Sequence, residues 1–112
     1  MLGPEHPDTA ACLNSLALLL KTQGDLTGAR PLHERALAIR EKALGAEHPG
    51  TAISLNNLAV VLEEQGDFKG SRSFKERALA INEKVLGPEH PDTAASLNNL
   101  AFLHHTQSDL VH

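Results

Sequence analysis

Leu2-Gly3-Pro4-Glu5-His6-Pro7-Asp8-Thr9 returns as Leu44-Gly45-Ala46-Glu47-His48-Pro49-Gly50-Thr51, and again as Leu86-Gly87-Pro88-Glu89-His90-Pro91-Asp92-Thr93. Each return falls 42 residues after the last. A second block keeps the same step: Leu13-Asn14-Ser15-Leu16-Ala17, Leu55-Asn56-Asn57-Leu58-Ala59 and Leu97-Asn98-Asn99-Leu100-Ala101. A fixed period of this size predicts a stacked repeat architecture, in which each unit buries its apolar face against its neighbours. The repeats run over 2–43 and 44–85, with a partial third over 86–112, in a single domain over 1–112. About three repeats are needed before such a stack holds, so the chain sits near the minimum.

Each repeat reads as two helices, A and B. Helix A begins at the His-Pro step, since proline is tolerated at the first helical position, where its missing N–H has no partner to lose. Asp8 and Asp92 add negative charge to the first turn. Repeat 2 carries Gly50 there, which predicts a weaker start. Leu13, Leu16, Ala17 and Leu20 fall at i, i+3, i+4 and i+7, and Leu55, Leu58, Ala59 and Leu62 repeat the pattern. These residues are the expected core face of helix A. Gly24-Asp25 and Gly66-Asp67 end helix A and cap helix B.

Helix B is expected over Leu26–Leu44 and Phe68–Leu86, with Gly45 and Gly87 as stops. Its inward face reads Ala29, Leu32, Ala36, Ile39 and Ala43, with the basic residues Arg30, Arg35, Arg40 and Lys42 mostly off it. Gly28 and Gly70 lie inside helix B and read as close-packing sites. Pro31 lies inside helix B, where proline normally costs about 3 kcal/mol. The periodicity runs through it, which predicts an unbroken helix. The third B helix should be in its first turn at His112. The expected architecture is all-α, with five helices in the order A1, B1, A2, B2, A3.

Composition narrows the function classes. The formal charge of −4 and pI near 5.9 argue against a nucleic-acid partner, which needs a basic surface. The longest apolar run, Leu16 to Leu20, falls far short of the roughly 20 residues of a membrane span. The acidic, proline-containing start does not read as a signal peptide. Cys12 is the only cysteine, standing where repeats 2 and 3 have Ser54 and Ser96. A lone thiol fits a reducing compartment and a cytoplasmic location. It reads as a small, partly buried position rather than a reactive one.

The succession Leu-Gly-Pro-Glu-His-Pro-Asp-Thr-Ala, Leu-Asn-Asn-Leu-Ala, Gln-Gly-Asp and Glu-Arg-Ala-Leu-Ala-Ile resembles the 42-residue tetratricopeptide repeats of kinesin light chains. The likeness covers Leu2 to Leu110. The ordinary repeat of this kind has about 34 residues; the additional ones lengthen helix B and its exit loop. The resemblance implies a right-handed α-solenoid of antiparallel helix pairs, with helix A lining a concave groove that takes peptides or partner domains. It also implies no catalytic activity.

By the same mapping Ala17, Ala29 and Ala36, with Ala59, Ser71 and Ala78 in repeat 2, sit at close helix contacts. His33 and Lys75 stand where the family often has an aromatic residue.

Mapped onto this sequence, the groove-facing residues are Asn14, Asn56, Asn57, Asn98, Asn99, Lys21, Val60, Glu63 and Phe102, with Ile53, Glu64 and His105 beside them. Asparagine is a mediocre helix former, so its recurrence in mid-helix asks for a reason. Its carboxamide both donates and accepts. Two readings stay open: a ladder that pairs with a bound peptide's backbone, or internal ties between helices. Only Lys21 is basic on this surface, which disfavours gripping a partner's C-terminal carboxylate. The match to cargo with acidic flanks, a type known for kinesin light chains, is poor.

The seven histidines do not form a metal site in this reading. His6, His48 and His90 are one position repeated two helices apart. Packed helices are about 8–10 Å apart, whereas zinc–nitrogen bonds are about 2.0–2.1 Å. The recurring Glu-His pairs are better read as folding information than as acid–base groups, which need a pocket and a positioned partner. No catalytic motif and no cofactor site is expected.

The expected function is a non-catalytic protein–protein interaction module whose partner is a protein or peptide. The alternative is a structural role through end-to-end stacking or self-association. A homodimer would form through the A3 residues Leu97, Leu100 and His104, which lack a covering B helix. A weaker alternative is the sensor arm of a larger signalling ATPase or enzyme.

Overall fold

The computed structural model describes the backbone of residues 6–111 and the side chains of residue 6 and residues 8–101. Among the described residues there are five helices: α1 (Pro7–Thr22), α2 (Leu26–Leu44), α3 (Pro49–Glu64), α4 (Phe68–Val85) and α5 (Pro91–Val111). They stack in chain order, α1 on α2, α2 on α3, α3 on α4 and α4 on α5. This is an all-α solenoid of helical hairpins, about 51 × 35 × 19 Å.

The repeated histidine is a helix cap. His6 Nδ1 accepts from the Asp8 N–H at 3.0 Å, His48 Nδ1 from the Gly50 N–H at 2.9 Å and His90 Nδ1 from the Asp92 N–H at 3.0 Å. Each ring nitrogen satisfies one of the orphan donors of a helix start. α1 and α3 are both 16 residues long, so Gly50 does not delay the start of α3. The threonine that follows fixes the loop: Thr51 donates to the Gly45 carbonyl at 2.7 Å and Thr93 to the Gly87 carbonyl at 2.8 Å.

The hairpin turns are alike. Gly24 and Gly66 both have φ of +87°, a conformation that costs other residues free energy. At each, two backbone bonds close the helix end; in repeat 1 the Gly24 N–H donates to Lys21 and the Asp25 N–H to Leu20. Asp25 and Asp67 then cap α2 and α4 through the N–H of Gly28 and Gly70, at 2.8 and 2.9 Å. Those glycines are closely packed, against the cap of their own helix. The atoms nearest a Cβ at Gly28 or Gly70 would be those of the capping carboxylate of its own helix.

α2 passes unbroken through Pro31. α4 ends one residue earlier than expected, with Leu86 as its cap. α5 departs further. It continues to Val111, past Ser108, which holds the place of Gly24 and Gly66. The hairpin break expected there is absent from the described backbone, consistent with a residue that lacks glycine's access to positive φ.

The core centres on α3, which among the described residues is the A helix covered on both sides. Leu55, Leu58 and Leu62 of α3 pack with Leu37 of α2 and with Ala78 and Ile81 of α4; Phe74 lies against this cluster. Ala17, Ala29, Ala36, Ala59, Ser71 and Ala78 are all fully buried, as the small-residue pattern requires. Two expected core positions are not in it. Ala43 is exposed. Leu16 is 47% exposed, whereas its counterpart Leu58 is 2% exposed. Leu58 is buried because α2 precedes α3 and covers that side; nothing in the described structure does so for α1.

Candidate protein-binding face

α1 and α3 are successive A helices, and a depression of about 210 Å³ lies between them. Asn14, Ser15, Leu18 and Lys21 line it from α1, Asn57 and Val60 from α3, and His33 of α2 forms part of its floor. Leu18 is 58% exposed, so the site offers an apolar contact among amides. At one end Lys21 Nζ lies 3.2 Å from Glu64, an ion pair joining α1 to α3.

The floor is polar and internally bonded. His33 Nδ1 lies 2.9 Å from Asn14 Oδ1. An amide oxygen only accepts, so this nitrogen carries the proton and Nε2 remains the ring's acceptor. Burial lowers the His33 pKa, and the charge of Lys21 lowers it further. The ring is therefore neutral at pH 7. Asn14 Nδ2 reaches towards Ser54 Oγ on α3 at 3.5 Å. In repeat 1 the asparagine thus ties α1 to α2 and α3, the internal role left open by the sequence.

Repeat 2 fills the same register with different chemistry. Lys75 replaces His33, and its ammonium donates to Glu63 Oε2 at 3.0 Å and to the Asn99 carbonyl at 3.1 Å. The Lys75 side chain is 2% exposed and that of Glu63 12%. Glu63 occupies the register of Lys21, so the sign of charge is reversed between repeats. Asn56 Oδ1 and Glu63 Oε1 are buried without hydrogen-bond partners. Each junction to the next A helix is held from helix B: Arg40 donates to the Gly50 carbonyl at 3.2 Å and to Ser54 Oγ at 3.1 Å. Asn82 does the same to the Asp92 carbonyl at 3.4 Å and Ser96 Oγ at 2.8 Å.

Of the residues mapped to the groove, Asn14, Lys21, Asn57 and Val60 come together around the depression. Glu63 is taken up by Lys75, Asn56 is half-buried, Asn99 is half-buried with its carbonyl bound, and Asn98 is exposed. Ile53 is exposed. The side chains of Phe102, His104 and His105 lie outside the described residues. On α5, Leu97 is 50% exposed while Leu100 is half-buried. Leu18 and His33 were not in the mapped set. Leu18 is the 42-residue counterpart of Val60, which was. His33 lies four residues after Ala29 and three before Ala36, on the apolar stripe itself, and Lys75 repeats the anomaly between Ser71 and Ala78.

A family model of the tetratricopeptide repeat matches residues 2–42, 13–84 and 57–111. The chain belongs to the tetratricopeptide repeat family. Among solved structures, this tetratricopeptide repeat chain is similar to BtubC (BKLC) from P. vanneervenii, with a TM-score of 0.83 and 26% identity over 93% of this chain and 41% of that one. It is also similar to a kinesin light chain-like protein of Podospora anserina built of nearly identical TPR-like repeats, with a TM-score of 0.82 and 30% identity over 93% of this chain and 49% of that one. A single-substitution variant of the latter gives 0.83 and 31%, over 96% and 51%. Its repeats are thus of the kinesin light chain type. This chain spans about half the length of the solved structures it matches. No protein of curated function matches it significantly in sequence. Among the described residues, no helix is long and apolar enough to cross a membrane.

Proposed function

We propose that this chain is a non-catalytic interaction module that holds a peptide or helix of a partner protein in the depression between α1 and α3. Tetratricopeptide repeats mediate protein–protein interaction, and the observation that supports a contact here is the depression itself, with Leu18 and Val60 as apolar contacts beside Asn57 and Lys21. Apolar area with a few fixed polar groups is the usual make-up of a binding cleft. The Asn14 amide holds the floor in shape; Asn57 is the asparagine available to an incoming backbone. The net charge of −4 supports a protein rather than a nucleic-acid partner. The site's charges, Lys21 and Glu64, already neutralise one another, which favours a partner segment of mixed or neutral character.

Selection of a displayed library of linear peptides against this chain should return binders. Leu18→Glu combined with Asn57→Ala should weaken them at least about tenfold, since one apolar contact and one amide hydrogen bond are each worth about 1 kcal/mol. Binders indifferent to this double change would place the contact elsewhere.

A further inference from the structure

One ring nitrogen at the floor of the depression between α1 and α3 is unengaged. His33 Nδ1 is committed to Asn14 Oδ1 at 2.9 Å. The Asn14 amide is oriented by its other end, where Nδ2 reaches Ser54 Oγ at 3.5 Å. The ring proton therefore stays on Nδ1, and Nε2 keeps its lone pair. Nε2 has no hydrogen-bond partner among the described residues, yet it is not one of the polar atoms sealed from solvent. His33 is only 4% exposed, and the depression is the opening that it lines.

The rim adds one more acceptor and two donors. Ser15 Oγ gives its proton to the Ala11 carbonyl at 3.1 Å, so its oxygen is left to accept. The Asn57 amide has no partner among the described residues and can donate. The Lys21 ammonium pairs with Glu64 at 3.2 Å and has N–H bonds to spare. Leu18 and Val60 supply apolar surface beside these groups. Repeat 2 does not reproduce the acceptor in the floor. Lys75 stands at the place of His33, an ammonium that only donates, and it is already held by Glu63 and the Asn99 carbonyl.

On the reading of this depression as the binding site, we infer that it selects a partner segment that places a carboxamide, the side chain of glutamine or asparagine, on His33 Nε2. A carboxamide brings two N–H groups and an oxygen. The N–H groups match Nε2 and Ser15 Oγ, the oxygen matches Asn57 or Lys21, and the stem matches Leu18 and Val60. Other side chains fail on one count each. A carboxylate has no proton to give Nε2, and Glu64 already neutralises the one cation that would attract it. A cation would stand beside Lys21. A hydroxyl has one proton for two acceptors. An apolar side chain strips water from Nε2 and puts nothing in its place, which is how a polar site rejects an isostere.

The test uses the peptides that a displayed linear library yields against this chain. Those weakened by Leu18→Glu with Asn57→Ala occupy the depression. Each should have one position that requires Asn or Gln, where replacement by Glu or Met weakens binding at least about tenfold. In His33→Leu the acceptor is gone, and the Gln and Met forms of a peptide should bind within about twofold of each other. His33→Gln keeps a donor for Asn14 and an acceptor for the ligand, so the preference should persist there. A His33 that merely held the fold would lower the affinity of both forms alike and leave their ratio unchanged. Peptides that occupy the depression without needing a carboxamide would overturn the inference and leave the binding site standing. So would a preference that survives His33→Leu. Peptides indifferent to Leu18→Glu with Asn57→Ala would remove the site and the inference together.

Discussion

Lys75→Met replaces a buried ammonium with an apolar side chain of similar length. Lys75 is 2% exposed and bridges two helices, giving one hydrogen bond to Glu63 on α3 and one to the Asn99 carbonyl on α5. Its removal leaves the Glu63 carboxylate buried and uncompensated, with one oxygen already lacking a partner. Breaking such a pair from one side costs about 3–5 kcal/mol, and the lost bond to Asn99 about 1 kcal/mol more. Glu63 lies at the edge of the core, 12% exposed, and can turn partly to water. That places the loss near the lower end, about 3 kcal/mol. Domains are stable by only about 5–15 kcal/mol, so this is a large share. Removing both charges, as Lys75→Met with Glu63→Leu, should recover most of it, because an apolar pair of similar volume is often as stable as the ion pair. Urea unfolding followed by circular dichroism measures all four members of the cycle. Hydrogen exchange should show α5 loosening first in the single variant, since the Asn99 tie is lost. A single variant within about 1 kcal/mol of the parent, or a double variant no better than the single, would refute the reasoning and make Lys75 effectively a surface charge.

His33 predicts a pH dependence. Its pKa is lowered in the folded chain, by burial and then by Lys21, so the unfolded chain binds the proton more readily. Its contribution to stability is therefore complete above the unfolded value of about 6.5 and is lost as pH falls below it. Urea midpoints should drop between pH 7.5 and pH 5 in the parent and drop less in His33→Gln, where that proton is gone. Gly66→Ala should destabilise by about 1 kcal/mol through backbone strain alone, because a Cβ at this φ of +87° meets nothing within 4 Å; thermal unfolding of Gly66→Ala beside Gly70→Ala separates turn strain from the crowding of a capping carboxylate.

Much of the fold was legible because the repeat states it three times. The His-Pro starts, the Gly-Asp turns and the buried alanines depend on local geometry, which sequence spacing reports well. What was misread depends on neighbours. Leu16 and Leu58 have the same local pattern, yet among the described residues only Leu58 has a helix lying over it. Ala43 sits on the stripe of α2 in the sequence, yet it is exposed. Ser108 alone in the turn register was a visible departure, and its effect on the length of α5 follows from glycine's special backbone freedom. In the candidate site, the A-helix face was legible from the register of Asn14 and Val60. The floor was not, because His33 and Lys75 belong to helix B, where the resemblance implies an aromatic residue rather than part of a binding face. Their polarity in the middle of an apolar stripe was the signal.

The unlike floors of the two repeats bear on how the chain finds its pairing. Units of similar sequence invite frame-shift errors, in which a helix docks on the wrong copy of its mate. Were α4 to fold onto α1, Lys75 would meet Lys21 at the place where it now meets Glu63. Two ammonium groups would then face each other where one is now almost wholly buried. Were α2 to take the place of α4 on α3, the neutral His33 ring would face the Glu63 carboxylate, leaving that charge without its cation. Both mismatched hairpins carry an electrostatic penalty that the correct ones lack. The reversal of charge between Lys21 and Glu63 therefore acts as an address, telling two otherwise interchangeable hairpins apart while they assemble.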